Sequence, residues 1–450
     1  MFKRILVANR GEIAVRIIRS CAELGIETVA IYSEGDADTL HTLLADKAIC
    51  IGTDDVLNSY MKIEKIIDVA KLFRVDAIHP GYGMLSENYY FARTCREEGI
   101  TFIGPSEENI LLFGDKSNAK KFAQDIGVPT IVGSKKISSL NIAKKKAKEI
   151  GYPVLLKLAN GGGGKGIRVI ENDNEFESKY KLCCYEGKVS EEPMIYIEKF
   201  IKNARHIEVQ ILRDVFGNCI CLGERDCTLQ RKYQKVIEES PANILSDDLR
   251  KRIYDDAKKI AEKSNFINVG TVEFLIDEEL NYYFIEVNPR IQVEHTVTEM
   301  LYNVDIVKEQ IIIALGKATS CIDTNDKHDG HVIECRINSE IPMKNFIPSN
   351  GKIQKLHFPG GNGVRVDSWL YSDCTVQAVF DSNLAKIIVR TKSRKDAIIK
   401  MRRALSETII TGIETNIQFL QKLLTLETVV NNSHNTETIE NFLKEANMFE

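Results

Sequence analysis

The chain has 450 residues, 44% hydrophobic and 28% charged, which suffices for roughly two to four packed regions and excludes a disordered or collagen-like polymer. Lys plus Arg number 60 against 64 Asp plus Glu, and the net charge of −4 leaves no basic footprint for nucleic acid or an anionic membrane. No apolar run approaches the ~20 residues that cross a bilayer, and the eleven cysteines, with no CxxC pair, read as reduced thiols of a cytoplasmic protein rather than a disulfide frame or a zinc site.

Residues 1 to about 115 alternate short apolar strands with amphipathic helices: ILVAN, a helix from Glu12 to Leu24, TVAIYS, a helix near 60–73, AIHPG, a helix near 87–98, and TFIG. This alternation predicts a doubly wound parallel sheet. The first strand-to-helix turn carries only Gly11, so the GxGxxG fingerprint is absent and a nicotinamide site is disfavoured. From Asp115, DKSNAKKFAQDIG predicts a capped helix. A lysine-rich helix near 141–149, the strand PVLLKL, the loop ANGGGGKG and the strand IRVI then predict a small α+β subdomain over about 130–200. Strands near 206–212, 219–223, 271–276 and 282–287 predict a larger antiparallel platform. After residue 331 come short strands with Gly and Pro turns, a helix near 394–407, and a polar loop, VVNNSHNTET, near 429–438.

The loop Gly161–Gly166 offers unhindered backbone N–H groups and Lys165, a combination that suits a polyphosphate. It lacks the Ser or Thr after the lysine and the following helix of a Walker A loop, so a glycine lid closing a hairpin fits better; a plain surface hairpin is the alternative. Lys157 lies within PVLLKL on the face of Leu155, where a half-buried lysine calls for an anion.

In TVEFLIDEELNYYFIEVNPRIQVEH, a hairpin with a loop at 278–281 places Asp277 opposite Tyr282, Leu275 opposite Phe284 and Glu273 opposite Glu286. Like charges paired across strands destabilise a sheet, and a divalent cation between the glutamates reverses that sign, with Asn288 on the same face as a further oxygen ligand. Two solvated glutamates on an exposed ribbon would leave the same pattern. Arg290, Gln292 and Glu294 then alternate along RIQVEH, read as one strand face able to hold a small oxyanion while Glu294 takes a proton; an exposed salt-bridged strand is the alternative. Arg336, within the apolar strand of HVIECRINSE, needs either a ligand or a buried ion-pair partner. His206 and Lys235 are weak signals by themselves.

Taken in order, KRILVANRGEIAVRIIR, IHPGYGMLSEN, FIGPS with GDKSNAK, KLANGGGGKGIRV, ARHIEVQ through GERDCTLQRKYQKVIEESPA, FIEVNPRIQVEHTVTEM, and ECRINSE with FIPSNGKI closely resemble biotin carboxylase, the ATP-grasp component of the biotin-dependent carboxylases. The resemblance spans essentially the whole chain. It implies a mixed α/β and α+β fold: an N-terminal Rossmann-like parallel sheet domain over 1–115, an ATP-grasp domain over 116–330 with a mobile lid subdomain, and a C-terminal mixed β-rich domain over 331–450.

Position by position, the resemblance implies ATP contacts at Lys116, Lys157, His206 and Gln230, an adenine hinge at Glu198, Lys199 and Ile201, and a lid at Gly163, Gly164, Lys165 and Gly166. It implies Mg²⁺ ligands, with Mn²⁺ as a substitute, at Glu273, Glu286 and Asn288. Lys235, Arg290, Gln292 and Val293 match the bicarbonate pocket, Glu294 the base, Arg336 the group that stabilises enolised biotin, and Tyr82 the biotin site. Tyr233, where the family often has His or Asn, and Asn362, where it often has a bulky aromatic near its homodimer contact, depart from the pattern.

The implied reaction is MgATP-dependent carboxylation of biotin by bicarbonate. Met343-Lys344 lacks the second methionine of a biotinylation site, so biotin is expected on a separate biotin carboxyl carrier protein, with a carboxyltransferase subunit completing an acetyl-CoA carboxylase of fatty acid biosynthesis or a two-subunit pyruvate carboxylase. The alternatives are another ATP-grasp ligase with a carboxylate or bicarbonate substrate, and a non-catalytic nucleotide-binding scaffold of a carboxylase complex.

Overall fold

The computed structural model describes residues 1–158, 167–186, 195–321, 329–377 and 379–445. Near the N-terminus, the strands Lys47–Cys50, Glu27–Tyr32, Arg4–Val7, Ala77–His79 and Thr101–Phe102 lie in that spatial order as one parallel sheet. This is the doubly wound order expected of the alternating apolar strands and helices. Lys47–Cys50 is one strand more than the sequence suggests, because it is a short, largely exposed edge with no apolar alternation to reveal it.

The main platform is an eight-stranded sheet in the order Tyr282–Asn288, Asn268–Ile276, Arg205–Arg213, Cys219–Arg231, Gln234–Ser240, His331–Asn338, Asn383–Thr391, Val364–Ser368. Every neighbouring pair is antiparallel, and successive residues along each strand turn to opposite faces of the sheet. The helix Asp247–Lys263 packs Leu249, Ile253, Ala257 and Ile260 against Ile207, Val209 and Ile211, and the helix Arg394–Glu407 packs Met401 and Leu405 in a second core with Ile337, Ile387 and Val389. The sheet runs without a break across residue 330, since Gln234–Ser240 pairs directly with His331–Asn338.

A smaller sheet, Ile167–Ile170, Val154–Leu158 and Ile195–Lys199, carries the helices Leu140–Ile150 and Phe176–Glu186 and has its own core around Leu156, Phe176 and Ile197. It matches the expected α+β subdomain. Gly163, Gly164, Lys165 and Gly166, and with them the expected lid, lie outside the described residues.

One strand runs well past its expected extent. The strand expected at 219–223 continues to Arg231, through a register shift between Cys221 and Glu224. Gly223 sits in that irregularity with φ +73°, and a Cβ there would overlap the Tyr302 ring. Glycine therefore lets the helix His295–Tyr302 lie close on the sheet, which positions the residue before it, Glu294.

Candidate active site

Four neighbouring strands align a charged row. Glu286 faces Glu273, Glu273 faces Glu208, and Glu208 faces Arg225. The Glu273–Glu286 pairing is the one expected, but the rest of the hairpin is displaced: Leu275 faces Tyr283 and Ile276 faces Tyr282, because a bulge inserts Ile285 beyond the glutamates. Asn288 does share the site, donating from Nδ2 to Glu273 Oε1 at 2.7 Å.

The residues of RIQVEH do not form a strand. Pro289 has no N–H for a ladder, the strand ends at Asn288, and the chain turns through Gln292 and Val293 into the helix that begins at His295. Arg290 consequently does not bond Glu294: its Nε donates to Glu87 at 2.9 Å and its Nη2 to the Oδ1 of Asn288, the residue that donates to Glu273, at 3.0 Å. Gln292 and Glu294 are buried at that turn, Gln292 Nε2 donates to Glu273 at 2.9 Å, and the Val293 carbonyl accepts from Lys386 Nζ at 2.8 Å.

Glu294, 2% exposed, is held at both oxygens: Lys235 Nζ lies 2.7 Å from Oε1 and Arg336 Nη2 2.9 Å from Oε2. Burial alone would raise its carboxyl, but Lys235, Arg336 and Arg225 outweigh it and hold Glu294 below the usual carboxylate range. Lys235 also meets Glu273 at 3.1 Å and pairs with Glu208, so although burial opposes its charge, Glu273 and Glu294 keep it protonated. Arg336 is anchored from behind by Glu238, 2.6 Å from Nε. Thus the buried ion-pair reading of Arg336 holds, and its partner is Glu294 as well as Glu238.

His206 Nε2 lies 3.1 Å from both Glu208 and Glu273. Lys116 pairs with Glu286 at 2.7 Å, while Lys157 and Lys120 share Glu198 at 2.6 and 2.7 Å. Burial opposes the Glu198 charge, yet the two lysines bring its carboxyl down to about 2. Lys199 Nζ instead donates to the carbonyls of Gly151 and Tyr152, Ile201 follows that strand half-buried, and Gln230 donates to the Cys227 carbonyl at 2.8 Å. Tyr82 donates its hydroxyl to Glu12.

Glu208, Arg225, Glu238, Lys120, Glu12 and Lys386 belong to this network and were not singled out from sequence. His206, Glu208 and Gln210 alternate along one strand, a polar face inside an otherwise apolar run that was the available signal. Tyr233 occupies a two-residue turn with Lys232, at φ 65° and 48°, a geometry that suits Asn or Gly. Asn362 offers its carbonyl to Lys400 at 3.0 Å.

Family models match the chain in consecutive blocks: the biotin carboxylase N-terminal domain over residues 1–110, the ATP-binding domain of the carbamoyl-phosphate synthase L chain over 115–321, and the biotin carboxylase C-terminal domain over 334–441. Biotin carboxylase 1 of Bacillus subtilis is 49% identical over 98% of this chain and 99% of its own length. The chain belongs to the biotin carboxylase family. Within that family, a biotin carboxylase–β,γ-ATP complex from Campylobacter jejuni superposes with a TM-score of 0.94 at 45% identity, covering 98% of this chain and 99% of that one. The biotin carboxylase domain dimer of Hydrogenobacter thermophilus 2-oxoglutarate carboxylase, in complex with MgADP, ADP and bicarbonate, gives a TM-score of 0.94 at 43% identity, covering 100% and 99%. The biotin carboxylase models flanking the central block separate the chain from carbamoyl-phosphate synthases, which the middle match alone would not do.

Proposed function

We propose that this chain catalyses the MgATP-dependent carboxylation of biotin by bicarbonate, the first half-reaction of a biotin-dependent carboxylase. The observation that carries the reading is Glu294: a buried carboxylate, kept ionised by Lys235 and Arg336, beside the amide of Gln292 and the carboxylate of Glu273. An ionised base and two cations brought together on buried or half-buried side chains suit a small oxyanion that must lose a proton as it attacks phosphorus.

In this reading Glu294 takes the bicarbonate proton while Lys235, Arg290, Gln292 and the Val293 backbone position the anion. The bicarbonate oxygen attacks the γ-phosphorus, the bond to ADP breaks, and carboxyphosphate forms. Carboxyphosphate splits into CO₂ and phosphate, the phosphate takes the ureido N–H proton, and the ureido nitrogen bonds to the CO₂ carbon, with Arg336 neutralising charge on the ureido oxygen and Tyr82 lining that side. Lys116, Lys157, His206 and Gln230 bind ATP, with Glu198, Lys199 and Ile201 at the adenine and Gly163, Gly164, Lys165 and Gly166 as the lid. Preorganised charge and orientation supply most of the rate.

The hard oxygen donors of Glu273, Glu286 and Asn288 fit Mg²⁺, with Mn²⁺ acceptable to the same set, and the in-register glutamates gain from a cation between them. When bound, Mg²⁺ neutralises phosphate charge.

In this reading biotin arrives on a carrier protein, with a carboxyltransferase as further partner, as membership of the biotin carboxylase family supports. A homodimer accords with the Hydrogenobacter relative. Among the described residues no disulfide joins the eleven cysteines and no helix is long and apolar enough to cross a membrane.

The test is ATP cleavage with bicarbonate, with and without free biotin. Bicarbonate-dependent cleavage stimulated by biotin, with carboxybiotin formed, is expected. Cleavage indifferent to biotin points to another ATP-grasp ligase, and nucleotide binding without cleavage to a scaffold.

A further inference from the structure

Gln292, Val293 and Glu294 are each gripped by a different buried cation. Lys235 and Arg336 hold the Glu294 carboxylate, Lys386 holds the Val293 carbonyl, and Arg225 holds the Gln292 amide. Arg225, like Lys386, meets neither Glu294 within hydrogen-bond range nor any residue that the resemblance assigns to nucleotide, metal or biotin; its link to the bicarbonate pocket is Gln292.

Arg225 is fully buried on the strand Cys219–Arg231, opposite Glu208. Nη1 donates to Gln210 Oε1 at 2.7 Å and to Thr298 Oγ1 at 3.1 Å; Nη2 donates to Thr271 Oγ1 at 3.0 Å, to Glu208 Oε2 at 3.2 Å and to Gln292 Oε1 at 2.6 Å. Its acceptors come from two neighbouring strands, from the helix His295–Tyr302 and from the turn before that helix, so the planar fork is fixed in every direction.

An amide can be placed either way round. Because Arg225 donates to Gln292 Oε1, that oxygen must face the guanidinium and Nε2 must face Glu273, to which it donates at 2.9 Å. A reversed amide would set N–H groups against a guanidinium and an oxygen against a carboxylate, both repulsive. Arg225 thus decides which end of Gln292 a small anion beside Glu294 meets, without itself touching that anion.

We propose that Arg225 is a positioning residue for bicarbonate, acting through the orientation of the Gln292 amide. The inference rests on the bicarbonate reading of this pocket. Lysine at 225 keeps the charge that neutralises Glu208 but loses the planar fork, so Arg225→Lys tests orientation more than burial.

The experiment measures KM for bicarbonate, KM for MgATP and thermal stability for the wild-type chain, Arg225→Lys, Gln292→Ala and the double variant, by bicarbonate-dependent ATP cleavage. Arg225→Lys is expected to raise the bicarbonate KM roughly 10- to 100-fold, the equivalent of one hydrogen bond to a charged group, with the MgATP KM near wild type. Adding Arg225→Lys to Gln292→Ala is expected to produce little further rise, since Arg225 acts on the anion through Gln292. A wild-type bicarbonate KM in Arg225→Lys, a parallel rise of both KM values, or multiplicative effects in the double variant overturns the positioning role. Should Arg225→Lys not fold, Thr298→Val, which removes one acceptor that steers the guanidinium, must raise the bicarbonate KM selectively, and an unchanged KM there overturns the proposal. A wild-type chain that cleaves no ATP in response to bicarbonate overturns the proposed function instead, which keeps the two failures apart.

Discussion

Glu273 and Glu286 stand in register on adjacent strands, yet their surroundings differ: Glu273 is enclosed by Lys235, His206, Asn288 and Gln292, whereas the partly exposed Glu286 meets Lys116. Burial would raise the Glu273 carboxyl, but Lys235 and His206 hold it well below the usual range. Glu273 is therefore part of the scaffold of charges, and Glu286 is the member of the pair whose removal disturbs least.

Glu286→Gln is expected to keep its fold and to weaken Mg²⁺-nucleotide use, because the amide retains shape but loses the charge. The check is ATP cleavage titrated with Mg²⁺ beside a thermal melt. An unchanged Mg²⁺ requirement removes Glu286 from the metal site.

Glu294 and Arg336 are bonded to each other but belong to different stages of the proposed reaction. Arg336→Ala should cut carboxybiotin formation by about 10²- to 10³-fold, the usual effect of losing a preorganised donor to a developing oxyanion, while leaving biotin-independent ATP cleavage largely in place. Glu294→Ala should depress both. If Arg336→Ala abolishes biotin-independent cleavage as fully as Glu294→Ala does, the assignment of Arg336 to the biotin stage is wrong.

The acid side of the pH–rate profile should report Glu294. Burial favours its neutral form and Lys235 leads the cations that oppose it, so removing Lys235 raises the carboxyl. Lys235→Gln is expected to move the acid limb of bicarbonate-dependent ATP cleavage to higher pH, besides lowering the maximum. An acid limb that stays in place excludes Glu294 as the titrating base.

Glu198 ties stability to pH. Its carboxyl lies at about 2 in the folded chain against 4.5 ordinarily, so its contribution is complete above about pH 4.5 and is lost as pH falls toward 2. A shift of that size corresponds to about 3 kcal/mol. Glu198→Gln should melt lower than wild type at neutral pH, with the gap narrowing steadily below pH 4.5; parallel curves from neutral pH down to pH 3 would falsify the assignment.

Residue pattern alone carried much of this protein. Apolar runs spaced by amphipathic helices reveal the parallel sheet and Asp115 caps its helix through Ser117 and Asn118 as its position suggests, whereas Glu273 meets Glu286 as the hairpin spacing suggests only because the bulge at Ile285 makes up a one-residue difference in register nearer the turn. These are local relations, set by periods of two and 3.6 residues and by turn chemistry. The order of motifs along the chain further marks the family.

Local reading failed where a local pattern had two meanings. Arg290, Gln292 and Glu294 alternate as a strand would, but Pro289 ends the ladder and the helix from His295 begins instead. The bulge at Ile285 likewise leaves no trace in the alternation of polar and apolar residues.

What the tertiary structure alone decided is which charges meet. Glu294 is gripped by Lys235 and by Arg336, residues 59 and 42 positions away, on two neighbouring strands of one sheet. Arg225, Glu208, Glu273 and Glu286 form one row because the sheet places the strands at 219–231, 205–213, 268–276 and 282–288 side by side. The order in which distant strands pair depends on how the helices bury their apolar faces, a sum over the whole chain, whereas a buried charge is tolerated only where that order brings its counter-charge within a few ångströms.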